Sequence, residues 1–295
     1  MIITVRAPRR LDFDISLPAS KSISARVLVM NALANRPAIL KNISDCDDTT
    51  ALISALSTDK PRHSEPDSPR QCEPATPRHC EERSNPAPAN LNSQFSILNS
   101  KLDIGPAGTA MRFLTAYYAS CPVTDVILTG SERMKNRPIA LLVDALRQLG
   151  ADISYTEKEG YPPLHIRGRR LQGGEISLDG GVSSQYISAL LMTAPVMTDG
   201  LTLHLTGDII SQPYINLTLS LMRQFGIETA ETNETGNPEN SSNALNSANS
   251  KNKEQLRTTK INNQTYSPPA VFTVESDWSA ASYWYEITAL SRDAG

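Results

Sequence analysis

The chain has 295 residues, 39% of them hydrophobic, and a formal net charge of −3. That length allows two domains and a sizeable core, while the weakly acidic balance excludes the global positive field that a nucleic-acid partner attracts. No run approaches the roughly 18 apolar residues of a membrane span, and the first residues lack the features of a signal peptide. The four cysteines show no CxxC spacing and no disulfide framework. We therefore expect a reduced, cytoplasmic protein with neither a nucleic-acid nor a membrane partner.

The N-terminal part contains strand and helix patterns. Extended pieces within residues 1–20 precede a helix predicted over about 21–35. A strand predicted near 38–44 then precedes a helix over about 47–57. The hydrophobic periods of these pieces indicate a mixed α/β protein.

Two polar segments, residues 59–101 and 229–270, interrupt the folded pattern. The first is rich in Pro, Ser, Arg and Glu, and the second is rich in Asn, Ser, Thr, Glu and Lys. Neither segment shows an apolar period, so neither buries enough surface to offset the entropy lost on ordering. We expect a disordered insertion and a disordered loop.

The part between these segments is the most regular. Four helix patterns alternate there with short β-rich pieces, at about residues 108–120, 137–149, 184–194 and 213–225. The motif Arg-Gln-Leu-Gly at 147–150 recurs 76 residues later as Arg-Gln-Phe-Gly, and the same offset maps Gly108-Thr109 onto Ser184-Gln185. Such a repeat brings equivalent helix starts to one end of a pseudo-symmetric domain. Beyond the second polar segment, residues 271–277 predict a strand and 278–290 a helix.

Three predicted helix starts carry small, hydroxyl-bearing or cationic residues. They lie at residues 20–22, 107–109 and 183–185. A helix N-terminus exposes unpaired N–H groups and the positive end of the helix dipole, so it favours anions. Four arginines lie close to these starts in the sequence: Arg26, Arg112, Arg133 and Arg137. The pattern predicts a cleft for a substrate with several negative charges.

Each of these motifs also has a purely structural interpretation. Ser20 or Ser22 can simply cap the first helix, and the charge run that ends at Arg137 can be a solvated face. Against the first interpretation, Lys21 and Arg26 flank the cap, where cations oppose the dipole unless an anion is bound.

Five ordered motifs together resemble the 3-phosphoshikimate 1-carboxyvinyltransferase (EPSP synthase) family. They are LPASKSISAR, GPAGTAMRFL, LTGSERMKNRPIALLVDALRQLGADI, GGVSSQYISALLMTAP and SQPYINLTLSLMRQFGIE. The resemblance implies an α/β fold of the inside-out barrel type, built from βαβαββ units. One repeat domain would be complete over residues 21–228, and residues 1–20 and 271–295 would belong to a second domain.

The resemblance also implies a reaction: the enolpyruvyl group of phosphoenolpyruvate passes to the 5-hydroxyl of shikimate 3-phosphate, releasing phosphate. This step belongs to the shikimate pathway of aromatic amino acid biosynthesis, and it implies a monomer that needs no metal or organic cofactor. By the same resemblance Lys21 contacts both substrates, and Gly108 and Arg137 hold phosphoenolpyruvate. The remaining residues bind shikimate 3-phosphate, with Gln185 also touching phosphoenolpyruvate: Ser22, Arg26, Ser183, Ser184, Gln185, Ser211 and Tyr214.

The chain departs from the family pattern in three places. Pro106 stands where Asn is common, and Gln212 stands where Lys is frequent. The family's catalytic Asp and Glu would lie beyond residue 295, so no catalytic residue is assigned, and we expect weak binding of shikimate 3-phosphate with little turnover. Two alternatives stay open: a catalytically dead anion-binding fragment, and an enolpyruvyl transferase acting on UDP-N-acetylglucosamine.

Overall fold

The computed structural model describes five stretches of the chain: residues 10–11, 14–57, 97–235, 255–291 and 293–294. The strand expected before residue 10 lies outside them, as does the disorder expected for residues 59–96 and 236–254. No helix of the described stretches is long and apolar enough to cross a membrane.

Helices account for much of the described chain. They are α1 (Lys21–Leu33), α2 (Asp47–Ser57), α3 (Gly108–Ser120), α4 (Glu132–Lys135), α5 (Ala140–Gln148), α6 (Ser184–Thr193), α7 (Gln212–Gln224) and α8 (Trp278–Leu290). A 3₁₀ turn, Ala194–Val196, extends α6. The short α4 was not predicted from the sequence.

The strands form two four-stranded sheets and two strand pairs. In chain order they are β1 (Arg10–Leu11), β2 (Ile39–Lys41), β3 (Ile97–Asp103), β4 (Thr124–Thr129), β5 (Asp152–Tyr155), β6 (Leu164–Arg167), β7 (Gly174–Asp179), β8 (Leu201–Thr206), β9 (Ala230–Thr235), β10 (Gln255–Ile261), β11 (Val271–Thr273) and β12 (Asp293–Ala294). The sheets have the orders β3-β4-β6-β5 and β7-β8-β10-β9, while β2 pairs with β11 and β1 with β12, both in parallel.

The predicted repeat corresponds to two βαβαββ units with the same strand order. In each sheet the first two strands are parallel and the other two pairings are antiparallel. The starts of α3 and α6 are 76 residues apart, as are the ends of α5 and α7. Gly150 and Gly226 follow those two ends with φ of +100° and +80°, the left-handed conformation that glycine adopts at the end of a helix.

The helices α3 and α6 lie inside the molecule, and the sheets lie outside them. In α3 every residue except Thr109 is buried, and in α6 every residue from Tyr186 to Thr193 is buried. Most residues of both helices are apolar, on every face, as is typical of a central helix, and Arg112 and Ser188 are among the buried polar exceptions. The outer strand β7, in contrast, buries only Ile176. Helices packed between outward-facing sheets agree with the inside-out arrangement that the resemblance implied.

The prediction that residues 229–270 are a disordered loop was wrong for β9, β10 and the segment that follows β10. Their composition is polar, but Arg257, Thr259 and Ile261 alternate as buried positions in β10. Pairing with β8 satisfies the backbone hydrogen bonds of β10. Two of its buried positions are taken by polar residues, so the polar composition of this segment did not indicate a partly buried strand. The insertion predicted over 59–101 is also too long, since β3 begins at Ile97.

The segment before α1 meets the segment before α8. Ala19 and Ser276 form an antiparallel bridge, the Ser20 N–H donates to the Glu275 carbonyl at 2.8 Å, and the Asp277 N–H donates to the Pro18 carbonyl at 2.8 Å. The start of α1 is therefore held against the start of α8.

The helix α8 leaves large apolar side chains in contact with solvent. Trp278, Tyr283 and Tyr285 are each about two-thirds or more exposed, and only Ala281 of this helix is buried. An apolar patch of this kind favours association.

Candidate functional site

Four helix starts from different parts of the sequence meet at one cavity of about 370 Å³. Its lining comes from the first turns of α1, α3, α6 and α7, together with Arg26 one turn further into α1. Seven of the ten predicted substrate-binding residues line it: Lys21, Ser22, Arg26, Ser183, Ser184, Gln185 and Tyr214, with Thr109 as an eighth lining residue.

The start of α1 contributes Lys21 and Ser22 to the cavity. Ser20 caps the helix by accepting a hydrogen bond from the Ile23 N–H at 3.4 Å, so the structural interpretation of Ser20 is correct. The Lys21 backbone N–H donates to Asp277 Oδ2 at 3.4 Å. Because the cap lies on Ser20, the hydroxyl of Ser22 does not perform that task and lies at the cavity.

Arg26 is a buried cation on the cavity wall, only 3% exposed. Its guanidinium donates to three oxygens: Thr218 Oγ1 at 2.7 Å, the Ser22 carbonyl at 2.9 Å and Ser188 Oγ at 3.0 Å. The Tyr214 ring lies 5.8 Å from Cζ of Arg26. Burial lowers the pKa of this guanidinium to about 10. Within the described residues no ion pair joins Arg26 to a carboxylate, so an anion in the cavity would supply its counter-charge.

The start of α6 contributes hydroxyl and amide groups. Ser183 caps α6 by accepting from the Gln185 N–H at 3.4 Å. The Gln185 amide Nε2 donates to Thr109 Oγ1 at 3.2 Å, which links equivalent positions of the two units. Hydroxyls and amides both donate and accept, so this side of the cavity suits phosphate oxygens and ring hydroxyls.

Gly108 and Arg137 lie beside the cavity lining. Gly108 is buried and precedes Thr109, and a Cβ at this position would collide with the Arg137 guanidinium. The tenth predicted residue, Ser211, occupies the N-cap position of α7 without a side-chain capping bond, and its carbonyl accepts the Tyr214 N–H at 3.1 Å. Neither Arg137 nor Ser211 belongs to the lining.

Arg112 was expected near the anion cleft because it follows a predicted helix start, but it does not line the cavity. It is 5% exposed and donates to the carbonyls of Gly108 at 3.0 Å and Pro138 at 3.3 Å. Burial lowers its pKa. Tyr186 donates to the same Pro138 carbonyl at 2.7 Å, so Arg112 and Tyr186 together fasten the turn that carries Arg137. Arg133 is exposed and is not part of the lining either.

Asp48 is the residue that sequence reasoning missed. It is 7% exposed, and its Oδ1 accepts the backbone N–H groups of Thr109 at 2.8 Å and Ala110 at 3.3 Å. Its Oδ2 pairs with the Lys21 ammonium. The start of α3 was predicted as an open anion site, but a carboxylate of the protein already occupies it. In the sequence Asp48 is one of two acids in the first turn of α2, which is an ordinary pattern.

The cavity contains no arrangement suited to a metal. No group of three or more His, Cys, Asp or Glu side chains that could hold an ion occurs in the described stretches. The charged lining groups are Lys21 and Arg26, so the chemistry of the lining is that of an anion site.

The fold defines a class of protein. The structure is similar to that of EPSP synthase from Acinetobacter baumannii, with a TM-score of 0.65, 19% identity, and coverage of 98% of this chain and 55% of the other. It is also similar to the enolpyruvyl transferase NikO from Streptomyces tendae, with a TM-score of 0.50, 15% identity, and coverage of 94% and 55%. The fold is that of the enolpyruvyl transferases.

Sequence comparison narrows the class to one family. The model of the family described as EPSP synthase (3-phosphoshikimate 1-carboxyvinyltransferase) matches residues 5–294. The proteins named 3-phosphoshikimate 1-carboxyvinyltransferase from Bacteroides fragilis (strain YCH46) and Citrobacter koseri are 45% and 38% identical, each over 98% of this chain. The chain belongs to the EPSP synthase family, as the motifs predicted. It spans 55% and 59% of the length of these two relatives.

Proposed function

We propose that this chain takes part in transferring the enolpyruvyl group from phosphoenolpyruvate to the 5-hydroxyl of shikimate 3-phosphate. The observation that carries the proposal is the buried guanidinium of Arg26, which lacks a carboxylate partner within the described residues and lines a cavity together with Lys21 at the starts of α1, α3, α6 and α7. Membership of the EPSP synthase family supports the choice of reaction.

Shikimate 3-phosphate is proposed to occupy the cavity itself. Its phosphate would take the counter-ion place beside Arg26 and accept from hydroxyls of Ser22, Ser183 and Ser184. Its ring hydroxyls suit the amide of Gln185, because an amide both donates and accepts. Ser211 and Tyr214 are proposed to close the pocket at the start of α7.

Phosphoenolpyruvate is proposed to bind beside Gly108 and Arg137, next to the same cavity. The absence of a side chain at Gly108 lets the Arg137 guanidinium lie close to the backbone, and this planar guanidinium suits a phosphate or a carboxylate. Lys21 lies between the two regions and is proposed to contact both substrates. Cationic groups fixed before the reaction stabilise charge that develops in the transition state.

The remaining assignments are proposals of the same kind. We assign residues 1–20 and 271–295 to a second domain and residues 21–228 to the repeat domain. We place the protein in the cytoplasm as a monomer that works without a metal or an organic cofactor, and no catalytic residue is assigned within this chain.

Calorimetry of the purified chain with shikimate 3-phosphate tests the binding step. Ser184→Ala removes one hydroxyl from the cavity, and we expect roughly tenfold weaker binding because a hydrogen bond to a charged group contributes about 1.5 kcal/mol or more. Ser177→Ala, at an exposed position of β7, is the matched control and leaves affinity unchanged. Absence of binding by the unaltered chain, or equal loss in both variants, would contradict the proposal.

Two further measurements separate the alternatives. Phosphate release in the presence of both substrates reports transfer, whereas binding without release supports an anion-binding fragment. UDP-N-acetylglucosamine in place of shikimate 3-phosphate tests the other acceptor, and we expect neither heat of binding nor phosphate release with it.

A further inference from the structure

One buried carboxylate joins the starts of three helices around the cavity. Asp48 lies in the first turn of α2, and its Oδ1 accepts the N–H groups of Thr109 and Ala110 at the start of α3. Its other oxygen pairs with the ammonium of Lys21, the first residue of α1. Both Lys21 and Thr109 line the cavity, so Asp48, which does not line it, contacts two lining residues.

The two contacts of Asp48 support each other. The Asp48 side chain is 9% exposed and that of Lys21 is 48% exposed. A pair between two mobile surface side chains contributes little, because both lose rotamer freedom when they meet. In this pair the carboxylate is already fixed by two backbone donors, so only the lysine side chain is ordered by the contact.

The surroundings of Lys21 contain further acidic groups. Asp277 is also held by two backbone donors, since its Oδ1 accepts the N–H groups of Ser279 at 2.8 Å and Ala280 at 3.2 Å, but within the described residues its contact with Lys21 is through the backbone and not the ammonium. Asp47 and the Cys46 thiol lie close enough to favour the charged form of Lys21. The hydrogen bond that the Lys21 ammonium donates to Asp48 is the largest influence and raises the pKa of Lys21 against the opposing effect of burial. Lys21 is therefore an ammonium at neutral pH and supplies positive charge rather than a base.

We propose that Asp48 is a positioning residue that holds the Lys21 ammonium at the cavity and ties it to the start of α3, so that Lys21 and Thr109 meet an anionic ligand as one unit. The choice of shikimate 3-phosphate as that ligand rests on the proposed function. The contact between Asp48 and Lys21 is tested without any ligand.

Two substitutions of Asp48 separate positioning from helix capping. Asp48→Asn keeps a side-chain oxygen for the Thr109 and Ala110 N–H groups but removes the charge that holds Lys21. Asp48→Ala removes both contacts. Asp47→Asn, at the exposed neighbouring residue, removes the same charge from the same helix turn and is the matched control. Circular dichroism melting verifies that each variant is folded.

The first readout is the titration of Lys21 in the ligand-free chain. Lysines are reductively methylated with ¹³C-formaldehyde, the Lys21 resonance is assigned by its loss in Lys21→Arg, and its pKa is followed by NMR. We expect a lower pKa of Lys21 in Asp48→Asn and in Asp48→Ala, with at most a small change in Asp47→Asn. A purely capping role would leave the titration of Lys21 unmoved in Asp48→Asn, and that result would overturn the proposal.

The second readout is a double-mutant cycle on shikimate 3-phosphate affinity. Removing the charge of Asp48 also lessens repulsion of an anion, and this effect is present with or without the lysine. We therefore compare Asp48→Asn in the native background with Asp48→Asn in a Lys21→Met background. We expect Asp48→Asn to change the affinity for shikimate 3-phosphate at least threefold more unfavourably in the native background than in the Lys21→Met background, because the effects of substitutions at contacting residues are not additive. Equal effects in both backgrounds would show that Asp48 does not act through Lys21.

The two proposals fail in different ways. If the assigned substrate is wrong, the unaltered chain does not bind shikimate 3-phosphate, while the Lys21 titration still responds to Asp48→Asn. If the positioning role is wrong, the unaltered chain binds the substrate and the titration does not respond.

Discussion

The two βαβαββ units share a backbone pattern but bring different chemistry to the cavity. At equivalent positions of the central helices, α3 carries Arg112 and α6 carries Ser188. Arg112 is used within its own unit and supports the Arg137 turn. Ser188 instead accepts from Arg26 of α1 at 3.0 Å. The repeated backbone therefore determines where the helix starts meet. The residue at each equivalent position determines whether a unit contributes a cationic side chain or a group that accepts a hydrogen bond from one.

The helix starts differ in the same way. The start of α3 is neutralised by the carboxylate of Asp48, 61 positions away from Thr109. The start of α6 is capped by the neutral hydroxyl of Ser183 from its own chain segment. The second unit therefore keeps its helix dipole for a ligand, whereas the first satisfies its dipole internally and holds the Arg137 guanidinium against Gly108.

The largest expected effect comes from exchanging the equivalent residues Arg112 and Ser188 for alanine. Arg112→Ala empties a buried site and releases the Pro138 turn, and we expect a loss of about 3 kcal/mol in the free energy of unfolding. Ser188→Ala removes one neutral hydroxyl and is expected to cost about 1 kcal/mol. Urea unfolding measures both. Arg112→Met retains most of the packing volume and should recover part of the loss. Equal losses at the two positions would show that the units are energetically alike.

The next comparison concerns Arg26, the buried arginine of α1 that donates a hydrogen bond to Ser188 of the second unit. Arg26→Met is expected to weaken shikimate 3-phosphate binding about 30-fold, equivalent to roughly 2 kcal/mol. The free energy of unfolding should be unchanged or higher, since a desolvated charge is removed and Ser188 and Thr218 remain hydrogen-bonded to each other at 2.9 Å. Calorimetry and urea unfolding give the two quantities. A large loss of stability without a loss of affinity would assign Arg26 to the fold rather than to the ligand.

The two helix-ending glycines give a smaller and more even comparison. Both Gly150 and Gly226 have positive φ, so alanine is strained at either position by about 1 kcal/mol. At Gly226 the new Cβ would also lie 3.0 Å from Cβ of Ser267, whereas at Gly150 the nearest atom, N of Gln172, is 3.5 Å away. We expect Gly226→Ala to lower the free energy of unfolding by about 2 kcal/mol and Gly150→Ala by about 1 kcal/mol. The opposite order would contradict the packing at Gly226.

The smallest effect is the pH dependence of the Asp48 and Lys21 pair. The pKa of Lys21 is raised above 10.5 in the folded chain, chiefly by its hydrogen bond to Asp48. The stabilisation is therefore complete below the unfolded value and is lost as the pH rises through the folded pKa. The difference in melting temperature between the native chain and Asp48→Asn should shrink above pH 10.5. Ser183→Ala, at the neutral start of α6, should show a difference that does not depend on pH in this range.

Sequence patterns predicted the elements and the repeat with good accuracy. Apolar periods located α2, α3 and α8 at their observed bounds and the other predicted helices to within a few residues, because most of these helices bury a continuous apolar surface. The prediction was wrong at β10, where Arg257 and Thr259 take buried positions. Composition reports only the average polarity of a segment, whereas the formation of a strand depends on the strands that it pairs with. The partner β8 is distant in the sequence, since the contacting residues His204 and Thr258 are 54 positions apart.

The family, the two repeated units and the set of polar residues at the helix starts all follow from the amino-acid sequence. All of these are carried by local spacing and by motifs within a single segment. The group that each charge faces depends instead on how the helices pack. Arg112 donates to backbone carbonyls, Arg26 lines the cavity, and Asp48 of α2 reaches the start of α3. These partners are not evident in the sequence, because the segments that pack together are far apart in the chain.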